Sequence, residues 1–314
     1  MMRARWHQNV VLTALSFNDR LKAEVLVADG ATGTSYQQMG MAIGIAPEEW
    51  VFDQPEKVLS LHTAFISAGA DIILTDTFGG TSLRLRESPL AGRTRELNRE
   101  AATLARQAAA GHGGVLVAGS MGPTGMLMEP FGELTPAAAA DAYGEQAAAL
   151  SDGGADLLLL ETFFSLDEAL AAIDGVQRAS ALPLVVSFSF DRGTRTMMGV
   201  SPTAMVEAIR PRGVAAIGAN CGRSLADMEQ VVAELAALNA GIPLWIKPNA
   251  GLPRMVGELA RYDTGPAEMA EYARRFIEAG AGVVGGCCGS SPAHIAAIAS
   301  TARSIDTRRT RLGA

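Results

Sequence analysis

The sequence predicts an α/β protein folded as a single (β/α)8 TIM barrel, and three observations carry that expectation. Eight short runs rich in Val, Ile and Leu recur along the 314 residues, each continuously apolar, as strands covered on both faces are. Ala-rich segments long enough for a helix separate them. A glycine-bearing joint, Ala68-Gly69-Ala70-Asp71, returns as Gly153-Gly154-Ala155-Asp156 and as Ala279-Gly280-Ala281-Gly282, where a helix stops and a strand begins. Eight such pairs in one chain of this length favour a closed barrel over an open doubly wound sheet.

The expected strands run from Glu24 to Ala28, Ile72 to Thr75, Val115 to Ala118, Asp156 to Leu160, Leu184 to Phe190, Val214 to Gly218, Leu244 to Lys247 and Gly282 to Gly285. Several helices open on proline at the first turn: Pro55, Pro136 after Thr135, Pro202 after Ser201 and Pro292 after Ser291. The chain divides into an N-terminal extension over 1–20, the barrel over 21–304 and a polar tail over 305–314, whose basic end is expected to fray.

Composition narrows the partners. A formal net charge of -7 with no basic block argues against nucleic acid, because no surface is built to neutralise a phosphate backbone. Apolar runs end within about eight residues, short of the ~18 to 20 needed to cross a membrane. The start lacks the pattern of a signal peptide, and three cysteines make a poor disulfide framework. The expectation is a cytoplasmic protein with reduced thiols, whose sequence leaves room for a homo-oligomer.

Those thiols all fall at strand ends. Cys221 closes the sixth run in Gly218-Ala219-Asn220-Cys221-Gly222, and Cys287 and Cys288 close the eighth in Gly285-Gly286-Cys287-Cys288-Gly289. Reacting groups of such barrels sit at the carboxyl ends of the strands, so the three thiols should meet on one rim and bind Zn2+. A lone buried cysteine is more often a small hydrophobe, but here every cysteine of the chain shares that rim. Zinc facing three thiolates is a weak Lewis acid, which disfavours hydrolysis. It still holds an incoming thiol as thiolate at pH 7, where a free thiol of pKa ~8.5 is only about 3% ionised. Asn249, closing the seventh run in Lys247-Pro248-Asn249-Ala250-Gly251, is either a fourth ligand that a thiol displaces or a turn former after proline.

Two acids end apolar runs, Asp29 in Asp29-Gly30-Ala31-Thr32-Gly33 and Glu161 in Leu160-Glu161-Thr162. A buried charge is costly without a partner, and a substrate ammonium would serve both. Backbone N–H groups of the turn from Gly30 to Gly33, or of Gly119-Ser120-Met121-Gly122, would suit a carboxylate. The dinucleotide-like glycines Gly280, Gly282 and Gly285 enter a strand instead of a helix and are no cofactor loop. His62 and His294 belong to no ligand pair and are expected to be structural or solvent-facing.

The Gly-Ala-Asn-Cys and Gly-Gly-Cys-Cys-Gly motifs at these strand ends resemble the homocysteine S-methyltransferases, over roughly residues 24–302. That family includes the betaine–homocysteine methyltransferases and the homocysteine module of cobalamin-dependent methionine synthase. The resemblance implies a zinc barrel with Cys221, Cys287 and Cys288 as ligands, and Asp29 and Glu161 on the amino group of homocysteine. Trp50 in Ala46-Pro47-Glu48-Glu49-Trp50 matches a tryptophan lining the betaine site of the animal enzymes, which implies a small onium donor such as betaine. Two tyrosines of those enzymes fall at Gly79 and Thr162 here. Lys247-Pro248-Asn249-Ala250-Gly251-Leu252-Pro253 is similar to the methionine synthase module, which implies instead methyl supplied by a separate corrinoid protein. A third reading, of another class, is a zinc-stabilised binding module without chemistry.

Overall fold

A computed structural model describes residues 16–238, 241–256 and 259–312. Eight strands run parallel around a barrel: β1 (Leu26–Val27), β2 (Ile72–Leu74), β3 (Leu116–Met121), β4 (Leu157–Phe163), β5 (Leu184–Phe188), β6 (Ala216–Cys221) and β7 (Leu244–Pro248), then, past a hairpin of β8 (Pro253–Val256) and β9 (Leu259–Tyr262), β10 (Ala281–Val284). They pair in the order β1-β10-β7-β6-β5-β4-β3-β2. A parallel bridge from Ala28 to Ile72, with the Asp29 N–H donating to the Ile72 carbonyl at 2.9 Å, joins the two ends. Each expected strand is present; the antiparallel hairpin was not foreseen.

Alternation along the strands separates two apolar layers. Leu26, Ala28, Ile72, Leu74, Leu116, Ala118, Leu157, Leu159, Val185, Ala216, Trp245 and Val283 fill the barrel interior. Their neighbours Val27, Ile73, Val117, Leu158, Val186, Ile217, Ile246 and Val284 pack outward beneath the helices. Both layers are apolar, which is why the runs read as continuous hydrophobic stretches rather than alternating ones. Phe17, on the helix Phe17–Ala23, meets the Trp245 ring edge-on at 6.4 Å and stops the N-terminal end of the barrel. Part of the expected extension thus belongs to the barrel floor; its residues 1–15 lie outside the described residues.

Local chemistry sets the joints. Gly69, Gly154 and Gly280 take φ of +98°, +98° and +110°, a left-handed turn that glycine enters without steric cost. In the first two, the aspartate that follows accepts from the neighbouring strand, Asp71 from Val27 N at 2.9 Å and Asp156 from Val117 N at 2.7 Å. Thr135 and Ser201 cap helices that start at Pro136 and Pro202. The last helix, Pro292–Leu312, carries the backbone of the expected polar tail on as regular helical turns.

The helices Pro136–Asp152 and Leu166–Ala179 touch through two glycines. A Cβ at Gly175 would overlap the Ala140 carbonyl oxygen, whereas one at Gly144 would stand 3.1 Å from the Gly175 oxygen. Backbone cannot rotate aside, so the overlap outweighs the ~1 kcal/mol that alanine adds in helix propensity. Gly175→Ala should therefore lower unfolding stability by about 2 kcal/mol in urea titration, and Gly144→Ala by less than half as much.

Candidate metal centre and substrate cavity

The inward register that fills the barrel turns polar at its C-terminal end. Leu74 is followed two residues on by Asp76, Ala118 by Ser120, Leu159 by Glu161, Val185 by Ser187 and Trp245 by Lys247, all of them buried. The same parity leads through β6 to Asn220 and through β10 to Cys287. Above them opens a cavity of about 970 Å³, lined among others by Gly30, Asp76, Glu161, Lys247 and the three cysteines.

The sulfur atoms of Cys221, Cys287 and Cys288 lie within 4.8 Å of one another, with Cys221 and Cys287 at 2.9 Å. Sulfur ligands of tetrahedral zinc, at ~2.3 Å each, stand roughly 3.8 Å apart, so small shifts close the site. Protonation chemistry points the same way. Hydrogen bonds from Cys221 and Cys287 hold the Cys288 thiol low, while donation between the thiols and burial push Cys221 and Cys287 up. A divalent cation at the centre of the cluster would favour the ionised form of all three.

Backbone strain marks the same place. Cys221 and Thr162 adopt φ of 57° and 66°, left-handed conformations that cost a non-glycine residue about 1 kcal/mol or more. Asn220 braces both: its Oδ1 accepts from Thr162 N at 2.9 Å and Ser187 Oγ at 2.7 Å, and its Nδ2 donates to Thr162 Oγ1 at 2.7 Å and toward Cys221 Sγ at 3.5 Å. The sequence offered a signal for this residue, a polar side chain at inward parity beside a cysteine.

Asn249 stands between the two cysteine loops. Its Oδ1 accepts from Cys288 N at 3.0 Å and its Nδ2 donates to Gly222 O at 2.9 Å, so the amide ties the two cysteine loops together. Both ends of the amide are spent on backbone, which fixes where the thiols stand. Tyr262, from the hairpin, lies over the second loop: a Cβ on Gly289 would meet its ring, and its hydroxyl favours the Cys288 thiolate.

Glu161 lines the cavity, whereas Asp29 is buried just beneath it, beside Gly30 of the lining. Asp29 accepts from Leu74 N at 2.7 Å and from Lys247 Nζ at 2.8 Å, so Lys247 is the partner its charge required. Among the described residues, Glu161 accepts from Ser120 Oγ alone, at 2.5 Å. Burial pushes its carboxyl up to about 7, with Lys247 drawing it down and Cys287 adding to the rise. Burial disfavours the Lys247 ammonium, but Asp29 and Glu161 outweigh it and keep the group charged. Gly30 is packed tightly, since a Cβ would stand 2.7 Å from the Phe65 ring. Of the two loops suited to a carboxylate, Gly119 to Met121 instead pairs with Leu158 to Leu160 inside the sheet.

Trp50 does not join the site. It is buried, stacked on Tyr36 at 4.7 Å with Lys57 Nζ 4.4 Å from its ring centre, and it is absent from the cavity lining. Tyr36 reaches it first, from the helix Thr32–Gln38. At Gly79 a Cβ would stand 2.8 Å from Glu48 Oε1 and 3.2 Å from Arg84 Nε, so those side chains fill the space of any larger residue. Glu48 accepts from Gly79 N at 2.5 Å, and beside it Asp76 keeps one oxygen without a hydrogen bond. Burial and the Glu48 charge push the Asp76 carboxyl well up. His62 is buried with its pKa lowered to about 4 by burial, and His294 bridges Ser291 and the Thr264 carbonyl, so both are structural.

Inward polar residues facing an open cavity instead of a packed core, on the rim that holds the thiols, are the arrangement found in barrel enzymes. Comparison with known proteins narrows the class. The family model described as homocysteine S-methyltransferase matches residues 26–302, and the chain belongs to that family; it is a methyltransferase. It is 34% identical over 303 residues to the methionine synthase of Mycobacterium tuberculosis, covering 91% of this chain and 25% of that protein. For the methionine synthase of Mycobacterium leprae the identity is 33% over 297 residues, with 90% and 24% covered. The chain thus spans about a quarter of the length of these relatives. The metallated form of the homocysteine methyltransferase MmuM from Escherichia coli superposes with a TM-score of 0.76 at 25% identity, over 89% of this chain and 96% of that one.

Purified under reducing conditions, the protein should carry about one zinc per chain by atomic emission. Cys221→Ala, Cys287→Ala and Cys288→Ala should each lose most of it while keeping the far-ultraviolet circular dichroism of the barrel. Full metal content in all three variants would refute the site.

Proposed function

We propose that the protein transfers a methyl group to the sulfur of homocysteine, forming methionine, with zinc held by Cys221, Cys287 and Cys288. The observation that carries this reading is the shared cavity, where three thiols, the Glu161 carboxylate and the Lys247 ammonium meet on one floor. Zinc, when bound, supplies a position at which the acceptor thiol ionises near neutral pH. Glu161, the acid whose charge no side chain neutralises by direct contact, receives the acceptor's ammonium. Asn220 and Asn249 hold the cysteine loops at the required spacing, and the barrel walls exclude water from the floor.

The donor in this reading is a small onium compound such as betaine, bound in the outer half of the same cavity. Its methyl carbon bonds to the acceptor sulfur as the bond to the positive nitrogen or sulfur breaks, and the electron pair leaves on a neutral group. No acid or base is needed, so alignment does most of the work. Trp50, which lies outside the cavity lining, has no part in this reading.

A second reading is methyl delivery from a separate corrinoid protein, favoured by the methionine synthase relatives and by one surface feature. The large exposed hydrophobics Leu127, Phe131, Met197, Met198 and Leu252, with Met255 of the β8–β9 hairpin, lie in segments that follow barrel strands, at the same end of the barrel as the cavity. Apolar patches of this kind suit a docked partner. Methionine formation from homocysteine with betaine or another onium decides for the first reading. Turnover only with a methylated corrinoid protein decides for the second.

Glu161→Gln should weaken homocysteine binding about 10- to 150-fold while leaving zinc content unchanged, as expected for one charge-assisted contact. The pH dependence follows from the raised carboxyl. Methionine has no thiol to titrate, and the carboxylate that its ammonium needs is populated as pH rises through about 7. Its affinity should therefore increase from pH 6 to pH 8 in calorimetry, and that rise should vanish in Glu161→Gln.

A further inference from the structure

We propose that Lys247 is the specificity residue for the acceptor's α-carboxylate, anchored by Asp29 and paired across the floor with Glu161. The assignment rests on the homocysteine reading and adds to it the group that tells an α-amino acid from a simple aminothiol.

Three observations lead there. Lys247 follows Trp245 at inward parity, which brings its ammonium up from the barrel core to the cavity lining. An ammonium has three N–H donors; one goes to Asp29 Oδ1 at 2.8 Å, and Nζ makes no other hydrogen bond among the described residues. A buried cation with unspent donors calls for an acceptor, and the two anions that act on it beyond Asp29 are Glu161 and the Cys287 sulfur, each with its own role. Asp29 in turn has both oxygens engaged, by Leu74 N and by Lys247.

The charges therefore sort themselves. Two free acids on the floor would hold an ammonium and leave the acceptor's carboxylate facing like charge. With Asp29 committed to Lys247, the floor presents one carboxylate and one partly unspent ammonium, the complement of a zwitterion. Asp29 acts through Lys247 as a positioning residue: it holds the ammonium in place and keeps it charged.

Calorimetric binding separates this from a structural role without requiring turnover or a known donor. The probes are methionine and its decarboxylated counterpart, 3-(methylthio)propylamine, against zinc-loaded protein. Wild type should bind methionine about 10-fold or more tightly than the amine, the range of one charge-assisted contact. Lys247→Met should lose that preference, binding methionine no more tightly than the amine. Because Lys247→Met leaves Asp29 buried and unpaired, the double variant Asp29→Asn/Lys247→Met, which removes both charges, serves as a second test. It should fold and show the same loss of preference. A preference that survives in either folded variant, or is missing in wild type that binds both probes, would overturn the Lys247 assignment alone. Wild type that binds neither probe would overturn the homocysteine reading together with it.

Discussion

Closure of the barrel is the constraint on which everything else depends. Once Ala28 bridges Ile72, the inward residues of eight strands have no solvent to face and must fill one interior. Apolar side chains do so from Phe17 up to the level of Leu74, Leu159 and Trp245. One step further along the same register the residues are Asp76, Glu161, Lys247 and their neighbours, and packing gives way to a cavity. The site is the continuation of the core by residues that cannot pack against one another without partners.

Its cost is met by a dense polar network. Left-handed Thr162 and Cys221 stand on neighbouring sides of the cavity floor, and Asn220, itself fully buried, bonds to the first and points its amide toward the second. Asn249 does the same for the loops bearing Cys221 and Cys288. Strain of this kind persists only where surrounding contacts over-determine it, and here those contacts are two asparagine side chains. Thiol geometry is set before any metal arrives.

Electrostatics sets the charge balance of the cavity. At the floor, the Asp29–Lys247 pair leaves Glu161 as the acid with its charge available, raised by burial to about 7. Beside them, burial and the neighbouring Glu48 push the Asp76 carboxyl well up, and burial likewise raises Glu48, with Arg84 drawing it down. An acceptor bound by its amino-acid end at the floor would present its sulfur to the thiols.

Sequence by itself determined the eight strands, the left-handed glycine joints and the common rim of the three cysteines, because each depends on local periodicity and on what ends a run. Parity would have carried it further: Lys247, Asn220 and Ser120 are polar residues at inward positions and were legible on that count. Tertiary structure alone decided which groups meet. Asp29 finds Lys247 across 218 residues, Trp50 turns its face to Tyr36, Asn249 spends its amide on two loops, and the hairpin brings Tyr262 over Cys288. Periodicity assigns a side chain to a face, but its partner is chosen by chain closure, which joins residues with no local relation. That is why the cluster of three thiols could be read from the sequence, while the charge balance of the cavity could not.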